Sequence, residues 1–278
     1  MITYKHSLQE ILKIPRALVN HRPINIKLFL GKVFTRIGML QLFKWVVNKL
    51  GYHVTYKDFH SNGIDLQTDI SDAEVESTQT VFDVGASIGG MSDKFLNLFP
   101  AATIHAFEPF DPSFTHLDKK FGKHPRVLCN KLGLSSKPGL SQMFLQKDSG
   151  YNSLNERVNK PSKQMNGQYQ DVHVSTIKEY CNEKNIKHID FIKIDVEGLD
   201  LEVLYGAEEM LNAGMIKYIF IECTFDHENE QNTSFHSVNT YLQTKGFKVR
   251  SLYDQSNFGG KNYLTCVNAL FVNQMAVS

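Results

Sequence analysis

Three short stretches hold residues whose types and spacing are suited to chemistry. The first is Val81-Phe82-Asp83-Val84-Gly85-Ala86-Ser87-Ile88-Gly89-Gly90, an apolar run that turns through glycines into a helical pattern. Gly85 and Gly89 let the backbone bend tightly and approach a ligand with no Cβ in the way. The following helix start offers unpaired N–H groups. The second is Ala106-Phe107-Glu108-Pro109, whose acid lies 23 residues beyond Gly85. A carboxylate about 20 residues past such a turn is placed to accept from ribose hydroxyls. Pro109 ends the run and sets its exit direction. The third is Asp190-Phe191-Ile192-Lys193-Ile194-Asp195-Val196-Glu197-Gly198. Two carboxylates, Asp195 and Glu197, leave the end of this apolar run, while Asp190 stands at its start, remote from the other two stretches. Lys193, inside an apolar run, needs an acid partner or a path to a cleft.

These stretches describe a nucleoside site with a proton acceptor nearby. A dinucleotide site wants G-x-G-x-x-G. Aligned on Gly85 and Gly90, Ser87 stands where the second glycine admits a pyrophosphate. That departure counts against a nicotinamide-dependent oxidoreductase and suits a nucleoside ligand lacking pyrophosphate. A third reading is a binding module that keeps the fold without chemistry. If the reaction removes a proton, the candidates are Asp195, Glu197, Glu222 and His227. Glu222 ends a later apolar run, and His227 lies in the loop Cys223–Asn232 just beyond it. His227 has the best ordinary pKa for the task. Asp195 with Glu222 is also the pair a divalent cation would bridge, although no metal is assigned.

Positioning these residues requires alternating strands and helices. Strands are expected at Thr80–Val84, Thr103–Phe107, Val127–Asn130, Ile189–Ile194 and Tyr218–Glu222. Helices are expected at Ser92–Phe99, Ser113–Phe121, Asp200–Leu211 and Ser234–Lys245. Such alternation builds a mostly parallel sheet, with ligands at the carboxyl ends of the strands. Phe247–Leu252 and Val267–Val272 close the chain as an antiparallel hairpin. Residues 138–175 read as a β-rich insertion, with strands at Ser141–Leu145 and Asp171–Val174 and a loop over Lys147–Gln168. Within that loop, Asp148–Ser153 suits hydrogen bonding to a polar ligand. Tyr52–Phe59 alternates like a strand, and Asp58–Asp69 reads as turn and edge.

The totals narrow the class. With 278 residues, 42% of them hydrophobic, the chain can bury a sizeable core. The net charge of +1 argues against a nucleic-acid binder. Residues 1–50 nevertheless carry nine Lys or Arg and one acid, leaving 21 basic and 28 acidic groups in the remainder. This basic, helix-patterned segment fits a lid or oligomer helix pair, a peripheral contact with a membrane surface, or a solvated basic face. The four cysteines show no C-x-x-C pair, which disfavours zinc and a disulfide scaffold. Met1–Glu10 lacks a signal-peptide apolar stretch, and no run approaches the roughly 20 residues of a membrane span. A cytoplasmic location is the expectation.

Taken together, these segments resemble the FkbM family of S-adenosylmethionine-dependent methyltransferases. The matching residues are FDVGASIG (Phe82–Gly89), FEP (Phe107–Pro109), NKLGLS (Asn130–Ser135) and above all DFIKIDVEG-x-D-LEVLYGA (Asp190–Ala207). The resemblance covers about residues 78–225. It implies a class I methyltransferase, Rossmann-like α/β fold with a seven-stranded, mostly parallel sheet, to which the residue patterns add an antiparallel C-terminal hairpin and an N-terminal helical extension that matches nothing in the family. The corresponding domains are 1–76 and 77–278. It implies S-adenosyl-L-methionine as cofactor, contacted by Asp83, Gly85, Ser87, Glu108 and Leu132; the motif positions add Gly89, Pro109 and Asp195 to the expected cofactor-binding set. It implies methyl transfer to oxygen, often a hydroxyl of a sugar or secondary metabolite; the positions of Asp195, His227 and Glu222 make them the catalytic candidates for that reaction on a small molecule or glycan.

Overall fold

The structure is a computed structural model that describes residues 65–144, 169–229, 232–257 and 262–275, with Gly63 and residues 46, 47 and 49. The chain divides into compact units of residues 1–61 and 62–278. Nearly all of the expected N-terminal helical segment, the strand over Tyr52–Phe59 and the loop over Lys147–Gln168 lie outside the described residues. Among those described, no helix is long and apolar enough to cross a membrane.

Among the described residues the second unit opens with two short helices, α1 (Leu66–Asp69), where sequence patterning suggests turn and edge, and α2 (Asp72–Ser77). Local capping decides the matter. The Asp65 side chain accepts from the Gln67 N–H, and Ser71 and Glu74 form a reciprocal capping box. Then follow β1 (Thr80–Val84), α3 (Gly90–Leu98), β2 (Thr103–Phe107), α4 (Asp111–Phe121) and β3 (Val127–Asn130). A side excursion holds β4 (Gly133–Leu134), β5 (Gly139–Phe144) and β6 (Tyr169–Ser175). The chain returns through α5 (Ile177–Lys184), β7 (Ile189–Ile194), α6 (Asp200–Tyr205), α7 (Glu208–Asn212), β8 (Ile216–Thr224), α8 (Phe235–Thr244), β9 (Phe247–Ser256) and β10 (Cys266–Asn273).

Seven strands form one sheet in the order β3-β2-β1-β7-β8-β10-β9. The pairs among the first five are parallel, and β10 runs antiparallel to both β8 and β9. This is the expected seven-stranded, mostly parallel sheet with an antiparallel C-terminal hairpin. The order reverses between β1 and β7, which opens a crevice at their carboxyl ends. Central strands are apolar on both faces, as a sheet covered on both sides requires. Phe82, Ile192 and Ile219 face α5, α6 and α8 in one core cluster. Val81, Phe191 and Phe220 face α3 and α4 in the other. Burying each such side chain contributes about 1.5–3 kcal/mol. The side excursion forms a separate three-stranded sheet, β4-β6-β5.

Two local features differ from expectation. Helix α5 follows β6 without having been anticipated, although Thr176-x-x-Glu179 is a start signal and the Thr176 side chain does accept from the Glu179 N–H. The helix expected over Asp200–Leu211 breaks into α6 and α7 around Gly206. There the backbone runs so close to Ser135 that a Cβ on residue 206 would sit 2.1 Å from its carbonyl oxygen. The Lys178 N–H donates to the Gly206 carbonyl, which an unbroken helix would have used internally.

Candidate functional site

The crevice at the β1–β7 switch is a cavity lined by Gly85 and Ser87 after β1, Glu108 and Pro109 after β2, Leu132 after β3, and Asp195 to Glu197 after β7. Six of the residues expected to hold the cofactor therefore meet on one wall: Gly85, Ser87, Glu108, Pro109, Leu132 and Asp195. Phe110 and Ser113 at the start of α4 and Met143 from β5 also line the cavity. These last were not foreseen. Phe110 follows the FEP triplet directly, but no sequence signal marks Met143, which reaches the cavity because the small sheet folds over it. Met143, Val172 and Val174 pack together with Phe110 there.

Backbone hydrogen bonds hold the wall in shape. The Gly85 and Ala86 N–H groups donate to the Phe107 carbonyl at 3.1 and 2.9 Å, and the Asp195 N–H donates to the Val84 carbonyl at 3.1 Å. Gly85 has φ +76°, and a Cβ there would sit 1.9 Å from the Asp195 carbonyl oxygen. Only glycine tolerates both constraints. Ser87 also adopts a left-handed backbone, φ +50°. Its N–H donates to Glu108 Oε2 at 2.9 Å, while the Phe110 N–H donates to Glu108 Oε1 at 2.8 Å. Glu108 is buried; burial pushes its carboxyl above the usual range, against the pull of those two N–H groups.

Beneath the turn lies an ionic knot. Lys193 is the only buried Lys or Arg among the described residues. Its Nζ lies 3.1 Å from Asp195 and 3.8 Å from Asp83, and donates to the Gly85 carbonyl at 3.1 Å. Burial lowers the lysine's proton affinity, but Asp195 and Asp83 outweigh it and hold the amine above its ordinary value. Asp83 is fully buried, and burial pushes its carboxyl up. Its Oδ2 accepts from Ser92 Oγ on α3 at 2.6 Å, while its Oδ1 has no hydrogen-bond partner.

On the other side, carboxylates accumulate. Glu197 and Gly198 take consecutive left-handed backbones, φ +53° and +88°, turning the chain sharply after β7. Asp200, buried at the start of α6, accepts from the Val196 N–H at 3.2 Å and from Thr233 Oγ1 at 2.6 Å, securing that turn. Glu222, half-buried on β8, accepts from Asn232 Nδ2 at 2.6 Å. Burial, together with neighbouring carboxylates that include Asp195, pushes Glu197 up to about 8, Glu222 to about 7 and Asp200 to about 6.

The remaining expected site residues stand back from the wall. Asp83 lies behind it, and Gly89 begins α3 with φ +85°, where a Cβ would strike the Phe121 and Leu117 side chains. Gly89 thus permits helix-to-helix packing. Glu222 does not line the cavity but is coupled to Glu197 through charge. His227 is exposed in the turn beyond β8 and lines no part of the cavity. Asp190 is remote, as anticipated: it accepts from the Gln79 and Thr80 N–H groups at the opposite edge of the sheet. Among the described residues, no group of three or more His, Cys, Asp or Glu side chains is arranged to hold a metal ion.

The cavity fits a nucleoside with an aliphatic, charged extension. Glu108 is fixed by two backbone donors and retains acceptor capacity for hydroxyls. Phe110 and Leu132 offer apolar surface to a base, and the glycine cradle after β1 leads to Asp195. A profile described as "Methyltransferase FkbM domain" matches residues 83–249, more than half of the chain. The chain is 23% identical over 185 residues to Methyltransferase 1 of Beauveria bassiana (strain ARSEF 2860), covering 61% of this chain and 72% of that one. It is 27% identical over 236 residues to the methyltransferase sdnD of Sordaria araneosa, covering 75% and 87%. It is 23% identical over 153 residues to the 2-O-methyltransferase NoeI of Sinorhizobium fredii (strain NBRC 101917 / NGR234), covering 51% of this chain and 62% of the relative. The profile and the crevice built around Glu108 agree: the chain belongs to the FkbM family of S-adenosylmethionine-dependent methyltransferases.

Proposed function

We propose that this methyltransferase modifies a hydroxyl of a sugar, glycan or comparably hydroxyl-rich metabolite. The observation that carries the reading is that Glu197 lines the cavity after β7, with burial and the neighbouring Asp195 and Glu222 carboxylates pushing it up to about 8. A hydroxyl acceptor must lose its proton during or after methyl transfer, and a base works best with a pKa near the working pH. When bound, S-adenosylmethionine supplies an electrophilic methyl on a sulfonium.

The chain's own residues divide the remaining work. Glu108 accepts from the ribose hydroxyls, and Phe110 and Leu132 enclose the base. The Gly85 turn leaves room for the donor, whose positive charge suits a wall containing Asp195. Glu197 reaches the cavity and receives the acceptor proton, with Asp195 and Glu222 as the carboxylates that tune it. His227, exposed and away from the cavity, has no part in this scheme. A polyanionic acceptor would set its phosphates against these carboxylates, so nucleic acid is a poor fit. The similarity to a named 2-O-methyltransferase supports transfer to oxygen. In the same reading the enzyme works in the cytoplasm, and the basic charge of residues 1–50 serves contact with a second copy of the chain or an anionic membrane surface, or is simply solvated. The functional boundary then falls between residues 76 and 77.

The test has two stages. Thermal stability is measured with S-adenosylhomocysteine, S-adenosylmethionine and NAD added separately; the two S-adenosyl ligands stabilise and NAD does not. Transfer of labelled methyl is then screened over neutral oligosaccharides, phosphorylated sugars and RNA. Label on a neutral hydroxyl acceptor, lost in Glu197→Gln with cofactor affinity retained, supports the proposal. Label confined to RNA or to an amine would overturn it.

A further inference from the structure

We infer that Lys193 is a positioning residue that clamps the Gly85 turn to Asp195 and so holds the floor of the cofactor cleft in its binding shape. The inference rests on reading the cavity as the S-adenosyl site.

A lysine in the middle of a buried strand is costly unless its charge is matched. Here one amine serves three elements at once. It donates to the Gly85 carbonyl at 3.1 Å, in the turn leaving β1. It pairs with Asp195 at 3.1 Å, in the turn leaving β7. It faces Asp83 at 3.8 Å, whose other oxygen accepts from Ser92 in the first turn of α3. The Lys193 side chain is 6% exposed and that of Asp83 0%, whereas Asp195 is 35% exposed and borders the cavity. Charge therefore passes from a sealed interior to the cavity wall through one side chain.

The geometry around Gly85 leaves little slack. The Gly85 Cα already lies against the Asp195 backbone, so that a Cβ would overlap its carbonyl. The two strand exits touch on one side, and on the other Lys193 bonds one exit's carbonyl and the other's carboxylate. Without the amine, the Gly85 carbonyl loses that donor. Asp195 would then turn to solvent, and the Asp83 oxygen that has no hydrogen-bond partner would lose its neighbouring cation. The turn that the cofactor must lie against would relax.

Three roles for Lys193 give different binding patterns. A positioning role weakens S-adenosylmethionine and S-adenosylhomocysteine together. A through-space charge role affects only the sulfonium, which should bind more tightly once a nearby cation is removed. A role in folding alone lowers thermal stability and leaves both affinities of the folded protein unchanged.

The experiment is calorimetric titration of both ligands into the full chain, wild type, Lys193→Met, Asp195→Asn and the double variant. Because Lys193→Met leaves Asp83 buried without a counterion, Asp83→Asn/Lys193→Met is made alongside it as a charge-balanced form. The expected result is a parallel loss of about tenfold or more for both ligands in whichever Lys193 variant folds. Asp195→Asn alone also weakens both, and the Lys193→Met/Asp195→Asn double variant is no weaker than the worse single, since the two residues act as one unit. Unchanged affinities, tighter S-adenosylmethionine binding, or wild-type affinity in Asp195→Asn would each overturn the inference. Failure of the wild type to bind either ligand would instead remove the cofactor reading on which it rests.

Discussion

Glu108 and Asp190 each hold two backbone N–H groups at opposite edges of one sheet. Glu108 accepts from Ser87 and Phe110 with one oxygen apiece, and Asp190 accepts from Gln79 and Thr80 with a single oxygen. Both tie a loop to a strand end. Glu108 stands at the carboxyl edge, buried beside a cavity, with its carboxyl pushed up by burial. Asp190 stands at the amino edge, half-buried, and is not among the residues that line that cavity. Holding two backbone N–H groups therefore does not separate a binding residue from a structural one. Strand direction does, because parallel strands gather their exit turns, and their crevice, at a single edge.

The largest expected effect breaks this pair apart. Glu108→Ala should weaken S-adenosylhomocysteine binding about 10- to 100-fold, the loss of hydrogen bonds to a charged group. Asp190→Ala should leave that affinity unchanged and lower the melting temperature of the unliganded chain by a few degrees, about 1 kcal/mol for the Gln79 and Thr80 N–H groups that lose their acceptor. Titration calorimetry and a melting curve on both variants decide it. Equal losses of affinity would mean that the edge of the sheet does not matter.

A second pair compares glycines within one turn. Gly85→Ala places a Cβ against the Asp195 carbonyl at φ +76°, and should destabilise the chain by more than about 2 kcal/mol in urea unfolding. Gly90→Ala, five residues on in the first turn of α3, meets nothing within 4 Å and should fall within about 0.5 kcal/mol of wild type. Comparable destabilisation by both substitutions would show that the turn as a whole, and not its contact with β7, is under strain.

A third comparison concerns pH. Glu197 and Glu222 are raised from an ordinary 4.5 to about 8 and about 7, and Asp200 from 3.8 to about 6. Between the ordinary and raised values the folded chain binds more protons than the unfolded chain, so stability falls as pH rises. The contribution of these groups is full below the ordinary carboxylate values and is lost by the time pH passes about 8. Unliganded stability should therefore decline from about pH 5 to about pH 9, and Glu197→Gln should flatten the upper part of that decline. Glu74 at the amino edge is held at about 2, against its burial, by bonds from Tyr218 and Ser71, and gives the opposite sign. Its contribution is present above 4.5 and lost as pH falls toward about 2. Thermal melts across pH in wild type and Glu197→Gln separate the two edges. An identical slope in both proteins would remove Glu197 from the titrating set.

The strands, their order of use and the turn carrying Gly85 were legible in the sequence because each rests on local pattern. Apolar runs of strand length alternate with helical periods, and a glycine at a left-handed position leaves a mark. Glu108 and Asp195 were legible for the same reason, as acids at the ends of such runs. The break at Gly206 was not, since its cause is the approach of Ser135 from elsewhere in the chain. Met143 gave no signal, because β5 reaches the cavity only through a second sheet that folds back over Phe110. The residues around Lys193 divide along the same line. A lysine in an apolar run announces that it needs a partner, but not which one. Asp83 lies on β1 and Asp195 beyond β7, and only parallel pairing in this register places both beside its amine. His227 shows the converse: its side chain suits catalysis, and its loop position was readable, yet the fold leaves it in solvent. By itself, then, the sequence determined which residues stand at strand ends, since side-chain type and periodicity are properties of the local chain. Tertiary structure alone decided which of those ends share a wall and how their charges shift one another, since burial and Coulomb coupling depend on distances set by sheet pairing.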